Sequence, residues 1–345
     1  MSNRYWVGGT DNWNGTAGTK WSTTSGGGGG SAVPTSSDDV FFDANSGTGT
    51  VTVSATGNCS NLVFTGFAGT FAGSSNVQIY GNLTFGSGMT LSHTGQLNMN
   101  GTGTVDITTN NNTILGITSL GSSGTYNLQD DFLSTGAFVI FGSSLTFNTN
   151  NYNLTCKSFS CSGSFTRTIN LGSGIITLTG TTGISIWNTS VTTGMTFDCG
   201  TSTIKTTGAY SASNSFSGGG LTFYDLRCEH TSTSFSLLMT GSNTFNSIYI
   251  GSNARLRPSS GLTQTVSSFT SGGTAGNESQ FLSNGGTTTI SKSSGTVNVN
   301  SISLTDTIAT GGATWNAIDS IDNGGNSGWN FSSTQNNSSF LSLLI

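Results

Sequence analysis

Leu83-Thr84-Phe85, Leu145-Thr146-Phe147 and Leu221-Thr222-Phe223 are one triplet, apolar–polar–apolar, written three times along the chain. Variants recur between about residues 62 and 304: Leu97-Asn98-Met99, Val105-Asp106-Ile107, Leu154-Thr155-Cys156, Ile184-Ser185-Ile186, Phe197-Asp198-Cys199, Ile248-Tyr249-Ile250, Val297-Asn298-Val299 and Ile302-Ser303-Leu304, with Leu62-Val63-Phe64 as a looser copy. Alternation on a two-residue period marks short strands with one buried face. Gly, Ser, Thr and Asn fill the intervals, and these residues turn a chain tightly. Leu62 and Leu83 stand 21 residues apart, Leu83 and Val105 22, which suits one coil of three short strands and three turns. The pattern predicts an all-β fold, a right-handed parallel β-helix of roughly a dozen coils and on the order of 60 Å long at the usual strand spacing. Irregular intervals between Thr109 and Thr135 and between Thr206 and Gly220 predict loops bulging from the shaft.

Composition supports a packed chain. Charged residues make up 7%, against about 25% in ordinary globular proteins. Disordered chains are usually charge-rich and aromatic-poor, whereas this one carries 21 Phe, 7 Tyr and 6 Trp. Stacking explains the missing charge. Coils about 4.8 Å apart place like positions above one another, where like charges repel and Ser, Thr and Asn form hydrogen-bonded ladders. A net charge of −5, with 9 basic residues gathered in no patch, argues against nucleic acid as a partner. No run of about 18 apolar residues is present, so no membrane insertion is expected. The start, Met1 to Trp6, lacks the apolar run of a secretory signal, so export by that route is not expected. The five cysteines (Cys59, Cys156, Cys161, Cys199, Cys228) are odd in number, and Cys156, Cys199 and Cys228 end triplets where Phe stands elsewhere. They read as small buried residues rather than disulfides or zinc ligands.

Four segments are expected. Residues 1–45, with Trp6, Trp13, Trp21 and the Gly26–Gly30 run, form an N-terminal capping or anchoring segment. Residues 46–312 form the shaft. Residues 313–331, with Trp315 and Trp329, form a C-terminal cap. Residues 332–345 form a polar tail whose apolar end, Phe340, Leu341, Leu343, Leu344 and Ile345, is expected to dock on the shaft or a neighbouring subunit.

The head segment, Arg4-Tyr5-Trp6-Val7-Gly8-Gly9-Thr10 through Asn12-Trp13-Asn14 to Trp21-Ser22, resembles a module of phage structural and host-recognition proteins. Val33-Pro34-Thr35-Ser36-Ser37-Asp38-Asp39-Val40-Phe41-Phe42-Asp43 and the closing Asn323-Gly324-Gly325-Asn326-Ser327-Gly328-Trp329-Asn330-Phe331 look like parts of the same pattern. Similar segments occur in bacterial surface proteins with β-helical regions. The resemblance implies a tail fibre, spike or head decoration, and a chain located in the virion, with a bacterial surface location as the alternative. Its implied partners are two further copies in a homotrimer, other tail or capsid proteins, and host-surface glycan.

Candidate chemistry is sparse, and neither a cofactor nor a metal is expected. Asp225, Arg227 and Glu229 share one strand face, with His230 opposite. Paired carboxylates flanking a sugar would serve a glycosidase, but a solvent-facing ion-pair row is the preferred reading. Asp130-Asp131 and Asp38-Asp39 read as turn formers, because strand neighbours point to opposite faces. Asp319, Asp322, Asn323 and Asn326 offer calcium-type oxygens without a calcium motif, and Asx-turns are preferred. His93 reads as a surface residue. Trp187, Tyr210 and Tyr224 are the candidate glycan contacts, provided their rings are exposed. The leading function is a non-enzymatic virion shaft. The alternatives are a secreted adhesin and a tailspike depolymerase.

Overall fold

The computed structural model describes residues 2–15 and 19–334. Phe340, Leu341, Leu343, Leu344 and Ile345 lie outside the described residues. Among the described residues the chain is all-β, a β-solenoid of stacked parallel coils, with one 3-10 turn at Ala44–Ser46 as its only helical piece. It divides into two compact units, Met1–Thr179 with Val191–Ser202 and Gly180–Ser190 with Thr203–Ile345.

In the first unit each coil lays one strand on each of three faces. The first face stacks Asp38–Asp43, Leu62–Thr65, Leu83–Thr84, Thr104–Thr108, Thr125–Leu128, Leu145–Asn148, Arg167–Asn170 and Met195–Asp198 in parallel. Leu62 sits beside Leu83, as their spacing implies. Leu83 then pairs with Ile107, not with Val105, because the next strand is longer and starts earlier in the coil. The opening segment, expected apart from the array, supplies its first rung: Ser2–Trp6 pairs in parallel with Asp38–Asp43. Trp21-Ser22 closes antiparallel on Tyr5-Trp6 at the end of this sheet.

The interior is what the triplets dictate. The inward residues Val40, Phe42, Leu62, Phe64, Leu83 and Phe85 are fully buried or nearly so. Phe42 and Phe64 stack at 4.6 Å, and Phe64 meets Phe85 at 5.5 Å. Trp6, Trp13 and Trp21 are fully buried or nearly so and pack edge to face, with Trp21 5.1 Å from both others, above Phe42. Burying rings of this size contributes roughly 2–3 kcal/mol each from area alone.

The outward positions form an amide ladder. Asp106, Asn127, Asn148 and Asn170 are in register on successive rungs. Asn127 Nδ2 donates to Asp106 Oδ1 (3.3 Å), Asn148 Nδ2 to Asn127 Oδ1 (2.8 Å), and Asn170 Nδ2 to Asn148 Oδ1 (2.7 Å). Asp106 accepts but cannot donate through an ionised carboxylate, so it suits the first place in a row whose amides all donate backwards.

One inward position breaks the apolar rule. Arg167 occupies the place of Leu145 in the next rung and is 1% exposed. A buried guanidinium is tolerable only when its donors are met. Here Nη1 donates to Phe165 O and Thr193 O, Nη2 to Cys161 O and Val191 O, and Nε to Cys161 Sγ, with the Phe165 ring 5.0 Å away.

In the second unit the coils change. From Thr203 to Leu282 each coil has two named strands, one of them long: Thr222–Cys228, Thr244–Ile250 and Thr263–Ser271 alternate with Asn214–Ser217, Leu237–Thr240, Arg255–Pro258 and Ser279–Leu282. A third face returns with Thr296–Asn300, Thr314–Ile318 and Trp329–Ser332. Trp315 and Trp329 meet edge to face at 5.2 Å in these last rungs, against Phe269. Asn298, Asn316 and Asn330 repeat the amide ladder there.

Asn148→Ala removes two ladder bonds and is expected to lower unfolding free energy by about 1–2 kcal/mol in urea denaturation. Arg167→Ala strands four carbonyls and is expected to cost about 3–5 kcal/mol. A cost below about 0.5 kcal/mol for either would contradict these roles.

Candidate functional site: the polar outer face

The densest ionisable group lies on the second unit's outer face and is built across neighbouring rungs. Register places Lys205 beside Arg227 and Arg227 beside Tyr249. Lys205 Nζ lies 2.6 Å from Glu229 Oε2, and Arg227 Nε donates to Glu229 Oε1 at 2.7 Å. The Arg227 guanidinium stands 4.4 Å over the Tyr249 ring. Asp225 accepts from Asn246 Nδ2 at 3.1 Å. Partial burial pushes the Glu229 carboxyl up, but the hydrogen bonds from Lys205 and Arg227 outweigh it and hold the group below the ordinary carboxylate range. A general acid needs the opposite shift. Lys205, Arg227 and Glu229 form an ion-pair row, while Asp225, expected in the same row, bonds to Asn246 instead. Lys205 was missed by sequence reading, although its distance from Arg227 along the chain is one coil.

The aromatic candidates divide. Trp187 is fully buried, stacked 5.8 Å from Phe216, with Nε1 donating to Thr189 Oγ1 at 2.9 Å. Tyr210 is 5% exposed, its ring 4.1 Å from that of His230. Neither ring is available to stack on a sugar, which corrects that expectation. Tyr210 lies between strands, and Trp187 follows a register shift within the strand Ser185–Asn188 that buries both it and Ile186, so simple alternation could follow neither. Tyr224 is half-buried.

His93 also corrects its reading. It is 2% exposed, stacked on Phe71 at 5.3 Å, with Nε2 2.8 Å from Ser75 O. Alternation runs past the strand Thr90–Leu91 and puts His93 on the inward side. His230 faces inward as expected: its Nε2 lies 3.2 Å from Arg255 O, and Nδ1 is buried with no partner among the described residues.

The remaining acids shape turns. Asp130 accepts from the Thr109 and Asn110 backbone N–H groups, and Asp131 from Asn153 N and Nδ2. Asp38 accepts from Thr35 N and Oγ1 and pairs with Arg4 at 3.4 Å, while Asp39 accepts from Asn61 Nδ2. Asp322 closes an Asx-turn on Gly324 N, Asp319 holds Thr334, and Asn326 accepts from Thr307. All five cysteines are free, and Cys199 is half-buried whereas the others are buried. Burial pushes the Cys156 and Cys228 thiols up to about 12, away from a reactive thiolate. Among the described residues no three His, Cys, Asp or Glu side chains gather as a metal site.

No family model, curated protein or solved structure matches this chain.

Burial lowers the His230 pKa to about 4, below the value of about 6.5 for the unfolded chain. The folded state therefore binds fewer protons, so this contribution to stability is full above pH 6.5 and is lost as pH falls towards 4. Unfolding free energy is expected to drop by roughly 3 kcal/mol from this group over that window. Urea titrations of the parent and His230→Asn should show a shallower slope in the variant. Equal slopes would contradict the assignment. Glu229→Gln, by contrast, should cost no more than about 1 kcal/mol, as for other ion pairs open to solvent on one side.

Proposed function

We propose that this chain is a non-enzymatic structural protein of a phage particle, a β-solenoid element of a tail fibre, spike or head decoration that takes part in host-surface attachment. The observation that carries the reading is a stacked parallel solenoid whose outer face is laddered by amides and hydroxyls and is almost free of charge. Rungs bonded to both neighbours make a stiff support, and a hydroxyl-lined surface suits sugar contacts. The resemblance of the head segment from Arg4 to Ser22, of Val33 to Asp43 and of Asn323 to Phe331 to phage modules supplies the viral part. Glu229, the carboxylate tied to both Lys205 and Arg227, is engaged in ion pairs rather than poised as a proton donor, which favours attachment over polysaccharide cleavage.

In this reading the Trp6–Trp13–Trp21 and Trp315–Trp329 clusters act as caps. Covering the end rungs prevents other strands from adding to them.

Antibodies against the chain should label the tail or head of phage particles from lysates of the strain that carries the gene, seen by immunogold electron microscopy. Label confined to the bacterial envelope would overturn the virion reading in favour of an adhesin. Incubation with host capsule should release no new reducing ends or unsaturated sugars, and their release would overturn the non-enzymatic reading.

A further inference from the structure

The strand Thr263–Ser271 outlasts its successor. On one side Thr265–Ser271 is paired with Thr244–Ile250. On the other, only Thr263, Gln264 and Thr265 find partners, in Thr289, Ile290 and Ser291. The chain then turns at Lys292 and resumes as Thr296–Asn300, which belongs to a different sheet with Thr314–Ile318. Among the described residues no ladder joins Val266–Ser271 to Thr296–Asn300. Parted strands leave backbone N–H and C=O groups open along a wall that other coils would cover.

The gap is a cavity of about 280 Å³. Ser267, Ser268 and Thr270 line one wall, and Lys292, Thr296 and Asn298 the other. Its floor is Phe269 and Val297, which are 2% and 4% exposed. Lys292 is the only charged residue in the lining. Its Nζ donates to Ser267 O at 2.5 Å, which leaves two of three N–H directions for a ligand. Asn298 is the first member of the second amide ladder. Asn316 Nδ2 donates to its Oδ1, but its own Nδ2 would donate to the preceding rung, and that rung has parted. The amide therefore has a donor to spare at the cavity.

Hydroxyls both donate and accept, which matches a polyol. One ammonium with no carboxylate in the lining selects an anion, in a chain of net charge −5. The buried Phe269 offers no exposed plane, so ring stacking is not the binding mode. We propose that this groove binds an acidic sugar residue of a surface polysaccharide, its carboxylate on Lys292 Nζ and its hydroxyls on Thr296, Asn298 and the Ser267–Thr270 wall. The proposal deepens the attachment reading and rests on it only for the biological source of the sugar.

The test is saturation-transfer NMR and calorimetric titration of the whole chain with tetragalacturonate, its methyl ester and inorganic phosphate. Tetragalacturonate should bind, the uncharged ester at least tenfold more weakly, and phosphate alone not measurably. Lys292→Gln should abolish the difference between acid and ester, Thr296→Val should weaken both, and Lys205→Gln on the ion-pair row should change neither. Circular dichroism of each variant confirms the fold. Equal binding of acid and ester, binding of phosphate as strong as that of the sugar, absence of any binding, or an unaffected Lys292→Gln would each overturn the proposal. These outcomes are independent of where the chain is found on particles, so the two readings fail separately.

Discussion

Everything in this chain follows from parallel rungs stacked at about 4.8 Å, each strand hydrogen-bonded to the one before and the one after. At that spacing a side chain's nearest neighbours are the residues at the same position in the adjoining coils. Like must tolerate like. Aromatic rings can do so, as Phe42 over Phe64 shows, and so can amides, as Asn127, Asn148 and Asn170 show. Rows of lysine or glutamate cannot, and the composition has lost them. Where like charges do stack, as Lys205 beside Arg227, one carboxylate, Glu229, binds both. The buried Arg167 is tolerated because carbonyls surround it, not because an acid does.

The same constraint decides what the surface can do chemically. Carboxylates are engaged in turns, ion pairs and side-chain ladders, four of the five thiols are buried, and both histidines face inward. What the outer face presents is chiefly hydroxyl and amide, groups that both donate and accept hydrogen bonds. The groove beside Thr263–Ser271 arises where the stacking rule lapses, as a long strand meets a coil divided into two shorter ones. Function, on this account, sits at the fault in the pattern.

How much of this could be read beforehand depends on parity. The triplets reveal strands, their inward residues and the coil length, because two-residue alternation needs no tertiary context. Parity is hidden beyond the short strand before His93, between strands at Tyr210, and across the register shift at Trp187, so the inward side of these three is not legible from the triplets. Leu83 and Val105 look like partners by spacing, yet strand length shifts the register to Ile107. Arg167-Thr168-Ile169 fits the triplet only if an arginine is allowed inside, which composition argues against until its carbonyl partners are seen. The change from three strands per coil to two shows in the spacing only as the irregular interval between Thr206 and Gly220, and the groove left no mark there. The apolar C-terminal residues lie outside what the structure describes.

Distance along the first face tests the stacking most directly. Thr104, Thr125, Thr146, Thr168 and Thr196 fall in register on successive rungs. Spin labels on Thr104→Cys and Thr196→Cys, with Cys199→Ser to remove the half-buried thiol, should report a narrow distribution near 19 Å, four rungs at about 4.8 Å each. A broad distribution, or one centred beyond about twice that distance, would contradict a chain wound in stacked coils.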